Sequence, residues 1–196
     1  MKKLVVASSN PGKLRELLQL FDGLGYELYP QSKLNVPNIA ETGTTFVENA
    51  IIKARNAAQH TGFAALADDS GIEVDALNGA PGVYSARFSG DDASDEANNA
   101  LLVEKLRAVP EQQRSARYRT VIVFMRNAAD PSPIICEGSW EGQILLEPHG
   151  QGGFGYDPYF YLPEHGCTSA ELSAERKNQL GHRGKALRDL LEKLRR

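Results

Sequence analysis

The chain has 196 residues, 41% of them hydrophobic and 24% charged, enough for one good core or two small lobes sharing one. A formal net charge of -3 excludes a general attraction for nucleic acid, so a polyanionic ligand would need local cations or a metal. No apolar run is long enough to span a bilayer, and Cys136 and Cys167 stand in no metal-ligand spacing. These features read as a cytoplasmic protein with reduced thiols and neither nucleic-acid nor membrane partners.

The basic start Met1-Lys2-Lys3 and its apolar run imitate a signal peptide, but the run stops at Ser8-Ser9-Asn10 and a charged helix follows. Leu4 to Ala7 is therefore read as a first strand. Leu14, Leu17, Leu18 and Phe21 fall at i, i+3, i+4, i+7 and predict a helix. Asn10 is its natural N-cap and Pro11 fits its first position. Lys13 opposes the helix dipole, and a lysine beside free backbone N–H groups makes an anion site. The alternative is an exposed surface lysine. The glycine spacing of a Walker A loop is absent.

Tyr26 to Tyr29 reads as a second strand. A capping box of Thr45 and Glu48 opens a helix running to about His60, with Gly62 as its stop. Asn49 and Lys53 share one face of it, either lining a site or forming a solvated surface. Ala64 to Ala67 is a short buried strand, with Asp68 and Asp69 at its carboxyl end, where ligands bind in open α/β sheets. Adjacent acids repel and resist dehydration, so they form either a solvated turn or a site for a hard cation such as Mg2+.

Ile72 to Leu77 reads as a separate alternating strand, and Ala97 to Leu106 as a third helix. Arg117 to Phe124 is a central strand. Ile134 to Gly138 and Trp140 to Leu146 form a hairpin or one long bent strand. The loop Gly150 to Pro158 carries glycines that permit close backbone approach, with Phe154 and Tyr156 available to stack on a base or simply to fill the core. Ala186 to Leu194 is the final helix.

Several stretches together carry a resemblance. They are Ala7 to Lys13, Glu41-Thr42-Gly43 with Thr45 to Ala54, Ala67 to Gly71, Gly79 to Arg87, Gly153 to Pro158, and Lys177-Asn178 with His182-Arg183. In this order the sequence resembles the inosine triphosphate pyrophosphatases, also called XTP/dITP diphosphatases. The resemblance implies an α/β fold with a long mixed β-sheet flanked by helices. It implies two lobes around a central cleft, a single two-lobed domain over residues 1–196, and a homodimer. The implied reaction hydrolyses non-standard purine nucleoside triphosphates (ITP, dITP, XTP) to the monophosphate and pyrophosphate, with Mg2+.

By the same resemblance Ser8, Ser9, Asn10, Pro11, Gly12 and Lys13 bind the triphosphate. Asp69 is the proton acceptor and a Mg2+ ligand, Glu41 and Asp68 complete the metal site, and Lys53 contacts phosphate. Ser70, Phe154, Gly155, Tyr156, Asp157, Lys177, His182 and Arg183 bind substrate, with His182, Arg183 or a backbone N–H meeting the keto oxygen at position 6 of the purine. Gly181 departs from the pattern, since relatives commonly carry serine there. The rivals are a Maf-like pyrimidine pyrophosphatase, a non-catalytic nucleotide-binding regulator, and a haloacid-dehalogenase-type phosphatase. The last lacks its Asp-x-Asp motif at a strand end here.

Overall fold

The computed structural model describes residues 2–21 and 25–195. Its strands are β1 (Lys2–Val6), β2 (Tyr26–Pro30), β3 (Ala64–Val74), β4 (Ser115–Met125), β5 (Ile134–Ile144), β6 (Phe160–Leu162) and β7 (Cys167–Thr168). They form one sheet in the order β2-β1-β3-β4-β5-β6-β7. β1 runs parallel to β2 and β3, whereas β6 is antiparallel to β5 and β7. The sheet is therefore mixed, as expected. The helices are α1 (Pro11–Phe21), α2 (Phe46–Thr61), α3 (Asp95–Leu106), α4 (Ala174–Leu180) and α5 (His182–Arg195).

The chain divides into two compact units. The first comprises Met1–Asp69, Thr120–Gly138 and Arg183–Arg196, and the second Ser70–Arg119 and Ser139–His182. In the first unit the central strands are buried on both faces, and the period of two decides which helix each residue meets. Leu4, Val6, Leu66, Ile122 and Phe124 face Leu17 and Phe21 of α1 and Ala186, Leu187 and Leu190 of α5. Val5, Ala7, Ala65, Ala67, Val121 and Val123 face Ala50, Ala54, Ala57 and Ala58 of α2. The alanines let α2 lie close against the sheet. Each fully buried leucine or valine contributes roughly 1.5–3 kcal/mol of transfer free energy.

The second unit has its own core, in which Leu102 and Leu106 of α3 pack with Ile72, Val74, Ala116, Tyr118, Trp140, Ile144 and Phe160. The expected helix starts are present. Asn10 Oδ1 accepts the Lys13 N–H at 3.1 Å, and Thr45 and Glu48 close the capping box of α2.

Three expectations are corrected. β3 does not stop before the acids but runs on through Asp68, Asp69, Ser70 and Gly71 to Val74, absorbing most of the strand expected at Ile72 to Leu77. Leu18 is 42% exposed, because the buried stripe of α1 is narrower than its apolar spacing. α5 starts at His182 rather than at Ala186. Residues 134–144 are one continuous strand, the second of the two forms expected there.

Candidate active site

Because β3 continues through the acids, its alternation sends them to opposite faces. Asp68 follows Leu66 onto the α1/α5 face. There its carboxylate meets Lys13 Nζ at 3.1 Å, the Thr120 hydroxyl at 3.2 Å and the Arg183 guanidinium. Lys13 lies one turn before Leu17, on the buried side of α1. Arg183, Ala186, Leu187 and Leu190 fall at i, i+3, i+4, i+7, so the apolar stripe of α5 carries Arg183 against the sheet. Arg183 is only 3% exposed and also pairs with Glu16 of α1. Burial opposes ionisation of Asp68, but Arg183 and Lys13 overcome it and hold the carboxyl well below the usual range. Burial lowers the pKa of Lys13, and Asp68 only partly restores it.

Asp69 follows Ala65 and Ala67 onto the α2 face. Its Oδ1 accepts from Lys53 Nζ at 2.6 Å, and the same ammonium lies 3.0 Å from Glu41 Oε1. Lys53 sits between Ala50 and Ala54 on the sheet-facing side of α2. Asp69 Oδ2 is buried and accepts no hydrogen bond from the described residues. Burial raises the Asp69 carboxyl above its ordinary value, with Lys53 opposing. Burial likewise lowers Lys53, but Asp69 and Glu41 reverse the sign and raise it.

The segment that carries Glu41 is tied to α2. Asn49 Oδ1 accepts the Gly43 N–H at 2.8 Å. A Cβ at Gly43 would lie 2.5 Å from that of Glu48, so glycine is required.

Among the described residues no group of three His, Cys, Asp or Glu side chains is placed to hold a metal. Glu41 and Asp69 converge on Lys53, while Asp68 pairs with Lys13 and Arg183.

The second unit carries the other candidate residues. Asp157 is buried and organises its loop. Its Oδ1 accepts from Ser169 Oγ at 2.8 Å and from the Tyr118 hydroxyl at 3.3 Å, and its Oδ2 from Lys177 Nζ at 2.6 Å and the Phe154 N–H at 2.8 Å. Gly153 has φ +75°, and a Cβ there would lie 2.0 Å from Asp157 Oδ2. The Lys177 ammonium stands 4.6 Å from the centre of the Phe154 ring. Tyr156 is buried and donates its hydroxyl to Ser85 O at 2.7 Å. His182 is buried and stacks on Tyr118, with ring centres 4.7 Å apart and planes 11° apart.

The remaining expected residues are less enclosed. Ser9, Asn10 and Pro11 are exposed, Ser70 is half-buried, and Ser8 and Gly12 are buried. Ser8 Oγ accepts the Asn10 N–H at 3.2 Å.

Arg183 is a buried counterion of Asp68 and Glu16. Asp68 serves the lysine and arginine beside it. Glu16, Thr120, Tyr118 and Ser169 were missed. Glu16 had a signal, since it lies three residues after Lys13 on the same side of α1. The other three come from distant strands or turns and left no local pattern.

A mixed sheet whose β3 brings two adjacent carboxylates against lysines of two helices is an α/β frame with a charged site. The chain belongs to the Ham1 family, whose model matches residues 4–193. It is 57% identical over 194 residues to the dITP/XTP pyrophosphatase of Vibrio parahaemolyticus serotype O3:K6, covering 99% of this chain and 97% of that one. It is 58% identical over 192 residues to the dITP/XTP pyrophosphatase of Vibrio cholerae serotype O1, covering 98% and 96%. The solved structure of a HAM1 protein from Coxiella burnetii matches with TM-score 0.91 at 50% identity, over 99% of this chain and 98% of that one.

Proposed function

We propose that this chain is a Mg2+-dependent pyrophosphatase that converts ITP, dITP and XTP to the nucleoside monophosphate and pyrophosphate, clearing deaminated purines from the nucleotide pool. The carrying observation is the Asp69–Lys53–Glu41 cluster: a buried general-base candidate with one oxygen on an ammonium and the other unbonded. The names of the full-length relatives support the same reading.

In this reading the first unit takes the triphosphate. Backbone N–H groups around Ser8 to Gly12, at the start of α1, donate to phosphate oxygens, and Lys13 and Lys53 balance the phosphate charge. Asp69 orients a water and takes its proton as the oxygen attacks phosphorus. The α–β phosphoanhydride bond breaks and pyrophosphate leaves. General-base catalysis of this kind is worth ~10²–10⁴-fold. Glu41 and Asp69 fit Mg2+, since both offer carboxylate oxygen and already converge on one cation position. When bound, Mg2+ supplies further charge neutralisation on the phosphates.

The second unit takes the purine, with Phe154 stacking on it and Ser70, Gly155, Tyr156, Asp157, Lys177 and His182 around it. Lys177, His182 or a backbone N–H donates to the keto oxygen at position 6. ATP presents an amino group there, and one unmatched buried donor costs ~1–3 kcal/mol. We assign the enzyme as a cytoplasmic homodimer acting on free nucleotides. Both cysteines are free, in keeping with a reducing compartment. Among the described residues no helix is long and apolar enough to cross a membrane.

The test is product identification from ITP, XTP, ATP and UTP, with and without Mg2+. Pyrophosphate released from ITP and XTP in preference to ATP, only with the metal, is expected. Orthophosphate as the product, or equal turnover of UTP, would refute the reading.

A further inference from the structure

The loop assigned to the purine is held at one residue by a single helix. Asp95 opens α3 and Asn99 lies one turn later on the same side. Asp95 Oδ2 accepts the Gly155 N–H at 2.6 Å. Asn99 Nδ2 donates to Gly155 O at 2.9 Å. Both backbone polar groups of Gly155 are thus taken by side chains of α3, while Gly155 itself sits at φ +63°, between Phe154 and Tyr156.

Asn99 is only 6% exposed, and its Oδ1 has no hydrogen-bond partner among the described residues. An unpaired buried amide oxygen costs about 1–3 kcal/mol, which an apolar residue would avoid. Packing of α3 therefore does not account for the amide, whereas the bond to Gly155 does. The Asp95 bond is charge-assisted and short, the strong kind. Ser94 caps the helix independently through the Ala97 N–H, so Asp95 is not needed for that role.

We propose that Asp95 and Asn99 are positioning residues that clamp Gly155 and thereby fix the Phe154 ring for the purine. This rests on the assignment of residues 154–157 to the base. The clamp acts on nucleotide affinity and not on the hydrolytic step, because the general base and the phosphate cations belong to other segments.

The test uses the full chain with Asn99→Asp, Asp95→Ala and Asp95→Asn. Asn99→Asp is nearly isosteric and turns the donor into an acceptor against the Gly155 carbonyl. Its expected result is a KM for ITP raised about tenfold with kcat within about threefold of wild type, together with faster amide exchange in the 150–158 peptide. Asp95→Ala, at an exposed position, is expected to do the same, and Asp95→Asn, which keeps an acceptor oxygen, to recover most of the loss. Unchanged exchange in 150–158 overturns the clamp. Faster exchange with unchanged KM, or a loss confined to kcat and melting temperature, overturns its role in nucleotide binding. A wild-type protein that releases pyrophosphate from no purine nucleotide sinks the functional assignment instead, and the exchange comparison still decides the clamp.

Discussion

Replacing Arg183 by methionine separates a buried counterion from a base reader. The substitution keeps the length of the apolar stem and removes the guanidinium that bonds Asp68 and Glu16. Asp68 is 1% exposed, so its charge has no water to fall back on. Breaking a buried pair from one side costs about 3–5 kcal/mol. Lys13 remains 3.1 Å from Asp68, which places the expected loss near the lower end, about 3 kcal/mol. For a chain of this size that is a fall in melting temperature of roughly 6–12 °C. The assay is a double-mutant cycle of Arg183→Met and Asp68→Asn by thermal and urea unfolding. The double variant should recover at least about 1 kcal/mol relative to the sum of the singles. Additive effects, or an unchanged melting temperature with altered preference between ITP and ATP, would refute the counterion assignment and return Arg183 to the base.

Two further predictions concern carboxylates. Asp69→Asn should lower kcat for ITP by about 10²–10⁴-fold. In the wild type, burial raises the Asp69 carboxyl. The base acts ionised, so activity should rise with pH along the acid limb of the pH–rate profile. The variant should lose that limb, and a wild-type rate maximum on the acid side would contradict the assignment. Asp130, far along the chain, accepts from the Arg126 side chain at 2.6 Å and from the backbone N–H groups of Arg126 and Ser132. The Arg126 bond, against the opposing effect of burial, holds its carboxyl well below the usual range. Folding with a depressed pKa adds stability that is present above the unfolded value near 4 and lost as pH falls toward the folded one. Asp130→Asn should therefore cost about 1–2 kcal/mol at pH 7 and flatten the loss of stability in acid. An unchanged acid profile by thermal melting would count against it.

Much of this protein was legible locally. Asn10-Pro11 and the Thr45–Glu48 box announced their helices, because capping needs only residues within one turn. The adjacent acids and the lysines on the helices announced a charged site. Local pattern could not say that β3 passes through those acids. A strand that continues turns neighbours to opposite sides, so Asp68 pairs with Lys13 of α1 and Asp69 with Lys53 of α2. Nor could it show α5 starting early enough to carry Arg183 onto Asp68, since the stripe of Ala186, Leu187 and Leu190 becomes continuous with Arg183 only once the helix begins at His182. Residue types and caps are properties of short segments and were determined by the sequence itself. Which charge neutralises which was decided by strand continuity and by packing between segments remote in the chain, and only the folded structure supplies those.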